Sequence, residues 1–122
     1  MADATYIRFE VPKDLQDKIL SAVEIAKESG KVKKGTNEVT KAVERMEAKF
    51  VVIATDVSPP EVVAHLPYLC DEKNVPYAYA GTKADLGSRI GIKSAASVAV
   101  IEFGKSEEDF KKIIEEITKL KK

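Results

Sequence analysis

"FVVIATDVSPPEVVAHLPYLCDEKNVPYAYA", residues 50–80, decides the class of this chain. It opens on FVVIAT, 50–55, a short continuous apolar run with β-branched residues, the composition of a buried strand. It closes on VPYAYA, 75–80, a second run of the same kind. Between them, SPPE places Ser58 as a helix N-cap, Pro59 at the first helical position and Glu61 three residues past the cap. The helix that starts there is expected to be interrupted near Pro67 and to resume through LPYLCDEK.

The alternation extends in both directions. TKADLGSRIG reads as a short helix ended by glycine, and SVAVIEF, 97–103, as a third central strand. Ser106 is then placed to cap a last helix, with three acids in its first turn and Phe110, Ile113, Ile114, Ile117 and Leu120 along one face. Towards the N-terminus, Leu15, Ile19, Ala22, Val23 and Ala26 recur at helical spacing over 14–29, and Gly30 follows the helix end. Residues 1–12 read as an arm closed by Pro12, and KVKKG as a basic edge strand. Thr36 is expected to cap a helix that buries Val39, Ala42, Val43 and Met46. The expectation is an α/β fold, a three-layer α/β/α sandwich on a central, mostly parallel mixed sheet of about four strands, as a single domain over 1–122.

Composition narrows the function classes. The chain has 122 residues, 44% of them hydrophobic and 33% charged, with 20 basic and 20 acidic side chains, so net charge alone selects neither a nucleic acid nor a membrane. One cysteine, Cys70, suits a reducing compartment, and neither a membrane span nor a leader pattern is legible, so a cytoplasmic location is expected. The turns TDVSPP, AGTKAD and FGKSEED are too poor in glycine to cradle a nucleotide phosphate. His65 and Cys70 have no second His or Cys to complete a zinc site, so no metal or other cofactor is expected. A small hydrolase built on Cys70, His65 and Asp56 is conceivable, set against Cys70 as a core residue and Asp56 as a loop or capping residue.

The charges are unevenly placed. Lys31, Lys33, Lys34, Lys41 and Arg45 face only Glu38 and Glu44 within 31–45, and Lys83, Arg89 and Lys93 form a second basic group opposed by Asp85. Acids crowd the C-terminal segment, so the surface is expected to be polarised. In GTNEVTK, 35–41, Asn37, Glu38 and Lys41 fall at i, i+1 and i+4 of a helix start, where free backbone N–H groups suit a phosphate and Gly35 permits close approach. Lys41 can donate to guanine O6 or N7, and Asn37 can donate and accept. Glu38 only accepts, so it needs a donor edge such as guanine N1–H and N2–H₂, which Watson–Crick pairing hides and non-standard RNA exposes. A second surface, GIKSAASVA at 91–99, offers Ile92, Ala95 and Ala96 to splayed-out nucleotides; on residues alone it is equally a tight connection between elements.

KKGTNEVTKAVER, followed by the 50–80 stretch and this small-residue loop, resembles the kink-turn-binding family of archaeal ribosomal proteins over roughly 5–120. The resemblance implies an α/β/α sandwich without catalysis that binds RNA bent by tandem sheared G·A pairs beside a short bulge. It implies that Asn37, Glu38 and Lys41 read the guanines, with Gly35 and Thr36 in close backbone contact. Lys34 and Arg45 would face phosphates, Lys83 would add a basic contact, and Ile92, Lys93, Ser94, Ala95 and Ala96 would cover the protruding nucleotide. Ser94-Ala95 stands where some eukaryotic relatives carry Arg-Pro, which implies tolerance of several kink-turn and kink-loop variants. The implied partners are ribosomal RNA, box C/D and box H/ACA guide RNAs and ribonuclease P RNA, with guide-particle proteins and ribosomal neighbours; no membrane is implied, and the free chain is expected to be a monomer. A translation or stress factor of the same superfamily, acting through proteins alone, is the other reading.

Overall fold

Among the described residues four short strands carry the core, and every side chain of the inner strand FVVI, 50–53, is buried. The computed structural model describes Ile7 and residues 9–120; most of the expected arm, and the last two lysines, lie outside the described residues. The elements run α1 (Lys13–Ser29), β1 (Lys31–Lys34), α2 (Thr36–Glu44), β2 (Phe50–Ile53), α3 (His65–Glu72), β3 (Tyr77–Tyr79), α4 (Lys83–Arg89), β4 (Ser97–Glu102) and α5 (Glu107–Leu120). Short 3-10 turns at Pro60–Val62 and Gly104–Ser106 precede α3 and α5. α1 packs with α4 and α5 on one face of the sheet, and α2 with α3 on the other.

The sheet is mixed and has four strands in the order β1-β4-β2-β3, but it is mostly antiparallel. Only β2 and β3 run parallel; β4 lies antiparallel to both β1 and β2. The cause is the excursion between β3 and β4. The Ala95 N–H donates to the Lys83 carbonyl at 3.0 Å, so the chain returns to the start of α4 before entering β4. It therefore starts β4 at the sheet end where β3 finished, with Ser97 opposite Ile53, and must run the other way.

Packing explains where other expectations shift. Phe110 of α5 stacks on Phe103 and tilts against Phe50 of β2, with ring centroids 5.0 Å apart in each pair. Phe9 meets Tyr79 edge-on at 5.2 Å and Tyr77 at 5.7 Å, so this residue packs on the β3 side chains. α2 stops at Glu44, and Met46 lies beyond it with φ 63° and 64% exposed, not in the buried stripe. Its turn closes because Glu47 and Ala48 N–H both donate to the Ala42 carbonyl. Ser58 caps no helix: a 3-10 turn starts at Pro60 and α3 only at His65. The expected interruption falls at residues 63–64, between the 3-10 turn and α3, and Pro67 sits in the first turn of α3, where its missing N–H costs no helical bond. The Ser106 hydroxyl donates back to the Phe103 carbonyl at 2.6 Å inside its 3-10 turn.

Among the described residues, α4 carries the one complete capping box. Thr82 Oγ1 accepts from the Asp85 N–H at 3.1 Å, and Asp85 Oδ2 accepts from the Thr82 N–H at 3.2 Å. The Thr82 backbone N–H first, and then the Thr82 side chain, hold the Asp85 carboxyl below its ordinary range. Replacing Thr82 by Ala is expected to cost about 1 kcal/mol in urea unfolding. Because the folded Asp85 value is lowered, the stability of the wild type relative to Asp85→Asn is present above the ordinary carboxylate range. It is lost as pH falls through the lowered folded value, and unfolding curves taken through that acid window check it.

Candidate nucleic-acid interface

One end of the sheet collects the start of α2, the start of α4 and the loop entering β4. Gly35, with φ 87° and ψ 141°, is the true N-cap of α2, and Thr36 is its first helical residue, so the expected Thr36 cap moves back by one. A Cβ at Gly35 would meet no protein atom within 4 Å, so glycine is needed for its positive φ and leaves open space in front of the helix. The Gly35 N–H donates to the Ser97 carbonyl at 3.2 Å, and Thr36 Oγ1 lies 3.5 Å from Ser97 Oγ. Ser97, fully buried at the head of β4, thus pins the α2 start beside residues 92–96.

Among the described residues no side chain caps α2, and its first i→i−4 bond is Val39 N–H to the Gly35 carbonyl at 2.9 Å. The N–H groups of Thr36, Asn37 and Glu38 therefore face outward without a helical acceptor. Asn37, Glu38, Lys41 and Arg45 are all exposed, while Val39, Ala42 and Val43 are buried. Arg45 is the C-cap residue, so it lies at the opposite end of α2 from Gly35 and extends the cationic face. Glu38 Oε1 stands 4.0 Å from Lys33 Nζ, and Oε2 stands 4.0 Å from Lys41 Nζ. At that separation and exposure the two pairs are weak, and both oxygens keep acceptor capacity for a ligand. Among the described residues neither Asn37 nor Glu38 makes a side-chain hydrogen bond.

The second surface is only partly as expected. Lys93 and Ser94 are exposed and Ile92 and Ala96 half-buried, but Ala95 is 5% exposed and belongs to the core. It cannot lie under a nucleotide, because its N–H is tied to Lys83 and its side chain packs inward. Lys83 is half-buried at the head of α4, its N–H held by Asp56 Oδ1 at 2.8 Å. Lys34 is exposed at the end of β1 next to Gly35.

The three residues of the hydrolase reading do not converge. Asp56 binds the α4 start, Cys70 is fully buried in α3, and His65 is exposed with Nε2 2.8 Å from Thr40 Oγ1. The Thr40 hydroxyl gives its one hydrogen to the Thr36 carbonyl at 2.7 Å, so it accepts from His65, which must carry hydrogen on Nε2. The pair braces α2 against the start of α3. Among the described residues no cluster of His, Cys, Asp or Glu could hold a metal, and no helix is long and apolar enough to cross a membrane.

Sequence reasoning missed Ser97 and Gly87 as supports of the site. A Cβ on Gly87 would stand 2.6 Å from Ser94 Cα and 2.7 Å from Ser94 N, so this glycine lets the 91–96 loop lie on α4. A glycine inside a short predicted helix is the signal that marks it.

The α/β/α sandwich thus carries a donor-rich helix start, a flanking carboxylate and a small-residue loop on one rim. The chain belongs to the ribosomal protein L7Ae/L30e/S12e/Gadd45 family, whose model matches residues 17–110. It is 56% identical over 120 residues to the large ribosomal subunit protein eL8 of Thermoplasma volcanium, covering 98% of this chain and 99% of the relative. The Thermoplasma acidophilum protein of the same name is 54% identical over 120 residues, with coverage of 98% and 99%. Among solved structures, the 15.5kD RNA binding protein of Giardia lamblia superposes with a TM-score of 0.87 at 29% identity, over 97% of this chain and 98% of that one.

Proposed function

We propose that this chain is an RNA-binding protein of the cytoplasmic large ribosomal subunit that recognises and stabilises kink-turn and kink-loop RNA. In the same way it serves as core protein of box C/D and box H/ACA guide particles and as a ribonuclease P subunit, and the free chain is a monomer. Family membership and the names of its relatives support the ribosomal and RNA-binding part. The kink-turn part rests on one observation: an exposed carboxylate, Glu38, stands among outward N–H groups and lysines with both its oxygens only loosely engaged. A pure phosphate site has no use for it, whereas a sheared G·A guanine offers it two donors. Binding favours the bent conformer by differential affinity and gives other proteins a fixed shape to dock on.

The test compares a kink-turn RNA with the same RNA whose G·A pairs are replaced by Watson–Crick pairs. Titration calorimetry should show a preference on the order of a hundred-fold for the first, from two guanine contacts; equal affinities would sink the reading. Lys34→Ala should weaken both RNAs alike and reduce the slope of log K against log salt by about 1.

A further inference from the structure

Beside the α2 start runs a basic trough of about 450 Å³, lined by Lys27 of α1, Lys31, Lys33 and Lys34 of β1, Glu38 of α2 and Ile90 after α4. Four lysines face one carboxylate there, a formal excess of three positive charges. Glu24 does not offset it, because Arg89 holds its carboxylate at 3.1 Å. Glu102 stands opposite Lys31 in register yet makes no ion pair with it, and among the described residues Lys27, Lys31 and Lys34 make none at all. Lysines on an exposed edge strand discourage edge-to-edge pairing, and β1 is such an edge. That role does not account for Lys27, which comes from a helix and lines the same trough.

We infer that this trough is a phosphate-binding track that carries a helical stem of the bound RNA away from the guanine-reading end of α2. The inference rests on the RNA reading above and extends it to Lys27, Lys31 and Lys33. Continuity supports it, since Lys34 leads directly into Gly35, and Glu38 belongs to both the trough and the proposed guanine contact. β1 spans about 10 Å from Lys31 to Lys34 at roughly 3.3 Å per residue, enough to face successive phosphates of one strand. As an edge strand among the described residues, β1 also turns backbone N–H groups away from β4, where they can serve as further phosphate donors.

The experiment pairs Lys27→Ala/Lys31→Ala with Lys111→Ala/Lys119→Ala on α5, outside the trough lining, which removes the same formal charge. All four lysines are exposed, and thermal melts confirm that both variants fold. Binding is measured across a salt series on a kink-turn RNA and on RNAs with either stem trimmed back to the kink. The trough variant should lower the salt slope by about 2 on the full RNA, which is about ten-fold in affinity between 50 and 200 mM salt. That loss should vanish when one particular stem is trimmed, and the α5 variant should bind as the wild type does. Equal effects of the two variants, or a loss that ignores both trimmed stems, would overturn the track. So would an unchanged slope, which leaves the trough to an acidic protein surface. If the wild type ignored the G·A pairs while the trough variant still lost slope on plain duplex, the kink-turn reading alone would fail.

Discussion

Glu38→Gln is expected to lower affinity for kink-turn RNA by about ten- to hundred-fold while raising affinity for a plain RNA duplex. The two effects have different origins. Glutamine nearly preserves the shape of Glu38 but replaces one acceptor oxygen with an NH₂ donor, which meets the N–H donors of an open guanine edge head-on. It should therefore bind no better than Glu38→Ala. At the same time the chain's formal charge rises from zero to +1, and Lys33 and Lys41 lose the carboxylate 4.0 Å from each. Both changes favour any phosphate backbone. A Glu38 that served only to space the two lysines would give the opposite outcome, with tighter binding to both RNAs. Calorimetry on the two RNAs at one salt concentration decides between them.

The placement of the residues behind that prediction was readable because their spacing is local. Asn37, Glu38 and Lys41 share one helical turn, so spacing alone puts them on one face. The FVVI strand was readable for a similar reason, since four consecutive buried apolar residues admit few other roles. Chain direction in the sheet was not readable, because an apolar run looks the same whichever way it points. It depends on a backbone bond between Lys83 and Ala95, which no periodicity encodes. The same long-range return buried Ala95, so a loop that reads as small and available is in part core. Thr36 and Gly35 exchanged roles because the backbone there adopts positive φ, which favours glycine over the commoner threonine cap. The basic trough needed the fold outright, since it joins Lys27 to Lys31 across a helix end and a strand edge.

Gly87→Ala carries the second large effect, and its sign is informative. In an open helix, replacing glycine by alanine stabilises by about 1 kcal/mol through propensity alone. Gly87 lies within α4 and is buried, and an added methyl would press on the N, Cα and C atoms of Ser94 at 2.6–2.9 Å. Those are backbone atoms, and the segment is anchored on both sides. Ile92 N–H donates to the Gly87 carbonyl at 2.9 Å, and Ala95 N–H to the Lys83 carbonyl at 3.0 Å. Neither bond survives a loop lifted off the helix. Destabilisation by about 1–3 kcal/mol is therefore expected in urea unfolding, the usual cost of overpacking. The same shift moves Ile92, Lys93, Ser94 and Ala96 without touching α2. Kink-turn affinity should fall, yet the preference over the Watson–Crick control should persist, because Asn37, Glu38 and Lys41 keep their places. A stabilised Gly87→Ala protein with unaltered binding would show that the loop does not depend on this contact. Loss of the preference itself would mean that the 92–96 loop, not the helix start, distinguishes the two RNAs.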